Sequence, residues 1–361
     1  MKNNAEKKNS KSFPFFILPL IAFLLAFLIV AFSFSYSCKA KTASENRVEY
    51  RLKVPHGMNS KSLSDILYNE GIIRSGKVFY LGARFPFFAK VFAGASSSFS
   101  LKSGIYRLSS DMSVKEIYEI LSSGKQEYIK ITFPEGLTKS KIGIRLEDEG
   151  VCSKNDFLEA CSNPLLLKKY DIPSENFEGY LFPDTYFFTP MMSGEAVLSL
   201  MVENFFEHIK DIPALNNLSM ADLDYNVRLA SIVEREYRLD EEAPLIASVF
   251  KNRLKYNWGL YSCATIEYII TEIEGRPHPD VITYKDLQID SPYNTYKWAG
   301  LPPTGISNPG LTALKAAVNA PKTKYFYFRL VNEEIGKHVF TEDFSQHISE
   351  GYSYSTKKSG R

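Results

Sequence analysis

Residues 13–38 carry no charged side chain, and the run from Phe16 to Phe34 is almost wholly apolar. Roughly 20 such residues match the hydrocarbon core of a bilayer. The chain is therefore expected to begin with a single transmembrane helix over 13–37. Residues 1–12 hold Lys2, Lys7, Lys8 and Lys11 against Glu6 alone. A Lys-rich flank stays cytoplasmic, so 1–12 reads as a cytoplasmic tail and the chain from about Lys39 onward as lying across the membrane. A cleaved signal peptide has a shorter apolar run that ends at small residues. A lipid-modified Cys38 would follow Ser35-Tyr36-Ser37, a poor lipoprotein signal. An uncleaved anchor is the expectation.

The rest of the 361 residues can build one large or two modest cores. The net charge is only +2, and the body of the chain has no long basic block, so no nucleic-acid partner is expected. Tyr and Phe are abundant, 22 and 26. They would supply sugar-stacking rings, although a Tyr/Phe-rich core is the more ordinary use. Cys38, Cys152, Cys161 and Cys263 form no CxxC pair and the five His are scattered, so no metal site and no cofactor are expected. An exported compartment would permit a Cys152–Cys161 disulfide; buried or free thiols are at least as strong an alternative.

A weak repeat follows the anchor. Val54-Pro55-His56-Gly57, Leu63, Leu67 and Glu70-Gly71-Ile72 recur 79 residues later as Phe133-Pro134-Glu135-Gly136, Ile142, Leu146 and Glu149-Gly150-Val151. Each copy reads as a strand, a Pro-x-Gly turn and an amphipathic helix stopped by Gly. A second strand at 104–108 precedes a helix with Ser113 as N-cap, Glu116 three residues on and Gly124 as stop. The fold class is α+β: a small module over 47–125, a larger mixed module over 128–348, and a polar, disordered tail over 350–361. Helices are expected at 138–149, 154–162, 193–209, 222–238 and 241–256. Strands are expected at 325–330 and 338–340.

Three clusters carry candidate chemistry. In a helix, Val227, Ala230, Ser231 and Glu234 share one face, so Glu234 ends an apolar, small-residue stripe. A carboxyl against apolar walls keeps its proton, as a general acid must. On spacing alone, a boundary Glu paired with Arg235 or Arg238 is the stronger reading. The stretch 176–186 packs Glu178, Tyr180 and Asp184 around Pro183, suiting sugar contacts or a core strand pair equally. The segment 291–310, with four Pro and three Gly, would hold Tyr293, Asn294 and Tyr296 in fixed poses, or be a plain structural loop.

Taken together, FEGYLFPDTYFF (177–188), LASIVERE (229–236), ASVFKNRL (247–254), SPYNTYKWAGLPPTGISNPG (291–310), LKAAVNAPKTKYFYF (314–328) and HVF (338–340) resemble the MltG (YceG-like) endolytic murein lytic transglycosylases, in family order. The anchor fits, and the small module looks like a LysM-type subdomain. The resemblance implies that Glu234 is the catalytic acid/base. It implies that the substrate is the β-1,4 bond between N-acetylmuramic acid and N-acetylglucosamine in peptidoglycan. It also implies a terminase acting on nascent strands at the cytoplasmic membrane, with a link to peptidoglycan synthases. Glu178, Tyr180, Asp184, Tyr293, Asn294 and Tyr296 are then expected as substrate-binding or site-shaping residues. The chain departs from the pattern at Leu260-Tyr261-Ser262-Cys263-Ala264-Thr265, where many relatives read Leu-Gln-x-Asp-Pro-Thr. That change motivates an alternative, a membrane-tethered glycan-binding adaptor with little or no catalysis. A single-pass sensor is disfavoured by a cytoplasmic side of about a dozen residues.

Overall fold

The computed structural model describes residues 17–55, 57–85, 87–88, 90, 99–332 and 334–349. The expected cytoplasmic tail, residues 1–12, and the polar tail, residues 350–361, lie outside them, as do residues 13–16 of the expected anchor. The chain divides into two compact units, Met1–Glu127 and Tyr128–Arg361. The architecture is mixed helix and strand, with three separate two-stranded antiparallel sheets among the described residues.

Helix α1 (Ile17–Ser37) opens the first unit. Its segment Pro19–Ser37 has a mean hydropathy of 2.3 and almost no buried side chain, so it is long and apolar enough to cross a bilayer. It fits a single-pass membrane anchor. Next comes β1 (Glu49–Val54), paired with β2 (Gly104–Ser109) so that Leu52 faces Tyr106. Between them lie α2 (Ser60–Asn69) and α3 (Gly76–Arg84), and α4 (Val114–Ser123) follows β2. Asn59 caps α2 by accepting the Lys61 and Ser62 N–H groups. Ser113 and Glu116 form a reciprocal capping box on α4, which stops at Gly124. Leu52, Leu63, Leu67, Phe79, Tyr106 and Leu121 close this unit's core.

The repeat is structural. In the second unit β3 (Ile129–Thr132), the Pro-Glu-Gly turn and α5 (Lys139–Asp148) replay β1, its turn and α2. The turn glycines Gly57 and Gly136 share φ of +83° and +77°. That left-handed region costs a side chain energy and costs glycine none, which is why both copies keep it. Helices α6 (Lys154–Cys161), α7 (Pro164–Lys169) and α8 (Gly194–Lys210) follow, with β4 (Thr185–Phe188) paired to β3.

Helix α9 (Met220–Glu236) is the centre of this unit. Leu223, Val227, Leu229, Ile232 and Val233 are buried on several sides of it, each contributing about 1.5–3 kcal/mol. A helix apolar on most faces must be enclosed by its neighbours. Here α10 (Ala243–Lys255) and α12 (Leu311–Val318) pack on it. The short α11 (Cys263–Tyr268) runs into one π-helical turn, Ile269–Ile273. Strands β5 (Tyr327–Asn332) and β6 (Lys337–Thr341) form the last hairpin. Its start falls two residues later than the aromatic run suggests, because Tyr325 and Phe326 serve as acceptors for Asn252 and Arg253 of α10. Cys152 and Cys161 are separate thiols rather than a disulfide.

Candidate active site

The rigid helix α9 carries Glu234 into its last turn. The carboxylate is half-buried. Its Oε2 accepts the backbone N–H of Gly310 at 3.0 Å, and its Oε1 is 3.4 Å from the Tyr237 hydroxyl. Arg235 does not neutralise it. That guanidinium bonds Glu267 at 2.7 Å, and Glu267 also meets His278. Burial pushes the Glu234 carboxyl up from 4.5 to about 7. The Gly310 N–H pulls against this, and the neighbouring Glu135 carboxylate adds to it.

Glu135 is the site residue that sequence reasoning missed. It occupies the Pro-Glu-Gly turn, and its carboxylate packs directly against the Cα of Gly310, where any Cβ would overlap it. It is exposed on its outer side, yet its own pKa is raised, first by partial desolvation and then by the charge of Asp240. One signal was available: Glu135 sits at the tip of the repeat, in the turn position that the first copy fills with His56.

Asn308 aligns the segments that meet here. Its Oδ1 accepts the N–H groups of Gly179 and Leu181, both at 2.9 Å. Its Nδ2 donates to the Leu137 carbonyl at 3.0 Å and to Glu178 Oε1 at 2.8 Å. Its backbone bonds Gly136 and Leu137. One amide thus ties the 178–181 stretch, the Glu135 turn and the loop that delivers Gly310. Ser231 ties the same loop to α9: its hydroxyl accepts the Ile306 N–H at 3.0 Å, and its carbonyl accepts from the Ser307 hydroxyl. The small face of the LASIVE stretch exists to let that loop approach.

Glu178 is fully buried beneath this junction. It accepts the Lys139 N–H at 2.9 Å, and the Lys139 ammonium stands 3.6 Å away. Burial raises its pKa to about 7 against the pull of Lys139. It supports the site from below and presents no surface to a ligand. Tyr180 and Asn294 also differ from the expectation of substrate contact. Both are fully buried. The Tyr180 hydroxyl is spent on Asp224 at 3.0 Å, and the Asn294 amide on the carbonyls of Leu287 and Ile289. Tyr293 is buried with its hydroxyl on Thr304. Asp184 stays solvent-facing and binds Asn204 at 3.0 Å. Tyr296 is half-buried, its hydroxyl 3.1 Å from the Cys263 thiol.

Tyr296 therefore belongs to a different neighbourhood. A cavity of about 740 Å³ is lined by Glu236, Arg253, Trp258, Tyr261, Cys263 and Tyr327. Glu236 accepts from Ser262 at 2.5 Å, and burial raises its pKa. The departing segment 261–264 falls on this cavity wall, with Tyr261 held at φ +50°. Glu236 is two residues beyond Glu234 and points to the other side of α9. Among the described residues, no three His, Cys, Asp or Glu side chains are grouped to hold a metal ion.

A half-buried carboxyl at a helix end, held by a glycine N–H from a Pro/Gly loop, lies within the span of the family match that gives this chain's class. The YceG-like family matches residues 52–350, and the chain belongs to it. It is 30% identical over 347 residues to an endolytic murein transglycosylase of Bacillus subtilis, with 91% of each chain covered. It is 26% identical over 311 residues to an endolytic murein transglycosylase of Streptococcus pneumoniae, where it covers 76% of itself and 53% of the relative. The chain thus spans about half the length of the pneumococcal protein. A crystal structure of a YceG-like protein from Listeria monocytogenes superposes with a TM-score of 0.55 at 29% identity, covering 84% of this chain and 99% of that one.

Proposed function

We propose that this protein is an endolytic murein transglycosylase with Glu234 as its single acid/base. The observation that carries the reading is a desolvated carboxyl, raised to about 7, at the end of a rigid helix in a family whose curated relatives bear that activity's name. A general acid works best with a pKa near the working pH. Glu234 gives its proton to the glycosidic oxygen between N-acetylmuramic acid and N-acetylglucosamine as the C1–O bond breaks. The resulting carboxylate takes the proton of the muramic C6 hydroxyl, whose oxygen bonds to C1. The product is a 1,6-anhydro end, the acid is regenerated and no water is consumed. The nucleophile belongs to the reacting sugar, so its effective concentration is already high.

Glycosidases that add water use two carboxylates. Glu135 has a different role in this reading. Its charge disfavours ionisation of Glu234 and so keeps the acid loaded. Gly310 opposes this by stabilising the carboxylate that forms on proton transfer. Tyr237 and Asp184 are the remaining polar groups proposed to shape the site; Tyr296 would act through its contact with Cys263.

The Lys-rich start of the chain and α1 would put the catalytic unit on the outer side of the cytoplasmic membrane, where nascent strands emerge. There it would terminate strand elongation, and the LysM-like first unit would hold glycan. A partnership with peptidoglycan synthases is part of this reading; in-cell crosslinking that recovers no synthase contradicts it. Digestion of uncrosslinked glycan strands, read by product mass, tests the function. Anhydro ends support it. Glycan binding without new ends supports the adaptor instead.

A further inference from the structure

The first unit carries an apolar surface that its own core does not use. Phe85 and Phe87 are 50% and 69% exposed, and Leu81, one turn before Phe85, is 38% exposed. Phe88 joins them, with ring centroids 6.3 Å from Phe85 and 6.0 Å from Phe87. The same ring lies 5.7 Å from Phe34, near the end of α1. The cluster is therefore continuous with the helix that is long enough to span a bilayer.

That junction is fixed. Arg74 donates to the Ala40 carbonyl at 2.9 Å and covers the Tyr36 ring at 4.6 Å. Cys38 is buried in the unit's core, and its carbonyl accepts the Val114 N–H at 3.0 Å. Phe34 lies three residues before the last residue of α1, about 4.5 Å along the axis. If α1 spans, a ring packed on Phe34 is held at the boundary between headgroups and acyl chains. Aromatic side chains favour that depth. Arg84 and Lys90, both exposed, flank the phenylalanines with positive charge, which can pair with lipid phosphates.

We propose that the first unit rests on the bilayer through Phe85, Phe87 and Phe88, which enter the headgroup–acyl boundary beside the end of α1. The partner is the lipid surface itself. The contact rests on α1 spanning the membrane, and it restricts the tilt of the first unit.

The test uses the full chain in lipid nanodiscs with Phe87→Trp, a substitution that keeps an aromatic ring. The unsubstituted chain gives the baseline from Trp258 and Trp298. The added emission is expected to be blue-shifted and to fall roughly twofold or more when the acyl chains are brominated near the headgroup. Phe85→Trp should behave alike. Added emission that is equal in brominated and plain discs, with the chain incorporated, overturns the proposal. A chain that does not co-elute with discs contradicts the spanning of α1, and the proposal falls with it; the two failures are distinguishable.

Discussion

Glu135 and Glu234 flank Gly310 from two sides: one accepts its backbone N–H, and the other packs on its Cα. Glycine is required here for close approach, not for its dihedral freedom. The arrangement places a second negative charge beside a desolvated acid, and most of what can be tested follows from it.

The pH dependence has a defined sign. In the proposed mechanism the reaction begins with protonated Glu234, whose pKa is raised to about 7, so the rate should fall as pH rises above about 7. Like charge is one cause of that shift. Glu135→Gln should therefore move the alkaline limb to lower pH while leaving a working enzyme. A pH–rate profile on uncrosslinked glycan strands reads the displacement; an unchanged limb would remove Glu135 from the site.

Gly310→Ala should cost about 1–3 kcal/mol of stability through overpacking, and should also depress turnover by displacing the N–H from Glu234. Adding Glu135→Ala makes room for the new methyl group. The double variant should recover part of the loss, and a double-mutant cycle in urea and in kcat measures the coupling. Strict additivity would contradict the contact.

Asn308→Ala deletes four side-chain hydrogen bonds and leaves the buried N–H groups of Gly179 and Leu181 unmet. A loss of about 3 kcal/mol or more is expected, with activity falling because the Gly310 loop loosens. Urea unfolding gives the first quantity and steady-state rates the second.

Stability should itself depend on pH. Glu178 and Glu234 both rise from 4.5 to about 7 on folding, so the folded state binds more protons than the unfolded chain in that window. Their contribution is full below about 4.5 and is lost as pH climbs through about 7. Glu178→Gln should flatten that slope, as followed by thermal unfolding across the range.

What the sequence made legible was periodic or local. The repeat with its turn glycines, and the Ser113–Glu116 capping box, emerged because each is written within about 20 residues. Glu234 was visible as the end of an apolar stripe. Glu135 was not, since the turn that carries it meets Glu234 and Gly310 only in the folded chain, far apart in sequence. Tyr180 and Asn294 misled for a related reason. In loops there is no period to separate inward from outward side chains, and sugar-binding residue types are the same ones that satisfy buried carbonyls and carboxylates. Tyr296 was grouped with Tyr293 by proximity in sequence, yet the chain turns between them and sends one to Thr304 and the other to Cys263.

The measurement closest to the central claim is the product mass released from uncrosslinked glycan strands by the full chain and by Glu234→Gln. The parent should release 1,6-anhydro ends, lighter than hydrolysed ends by one water, and the variant should be at least about 100-fold slower. Reducing ends that carry an added water, or undiminished cleavage by Glu234→Gln, would contradict the claim.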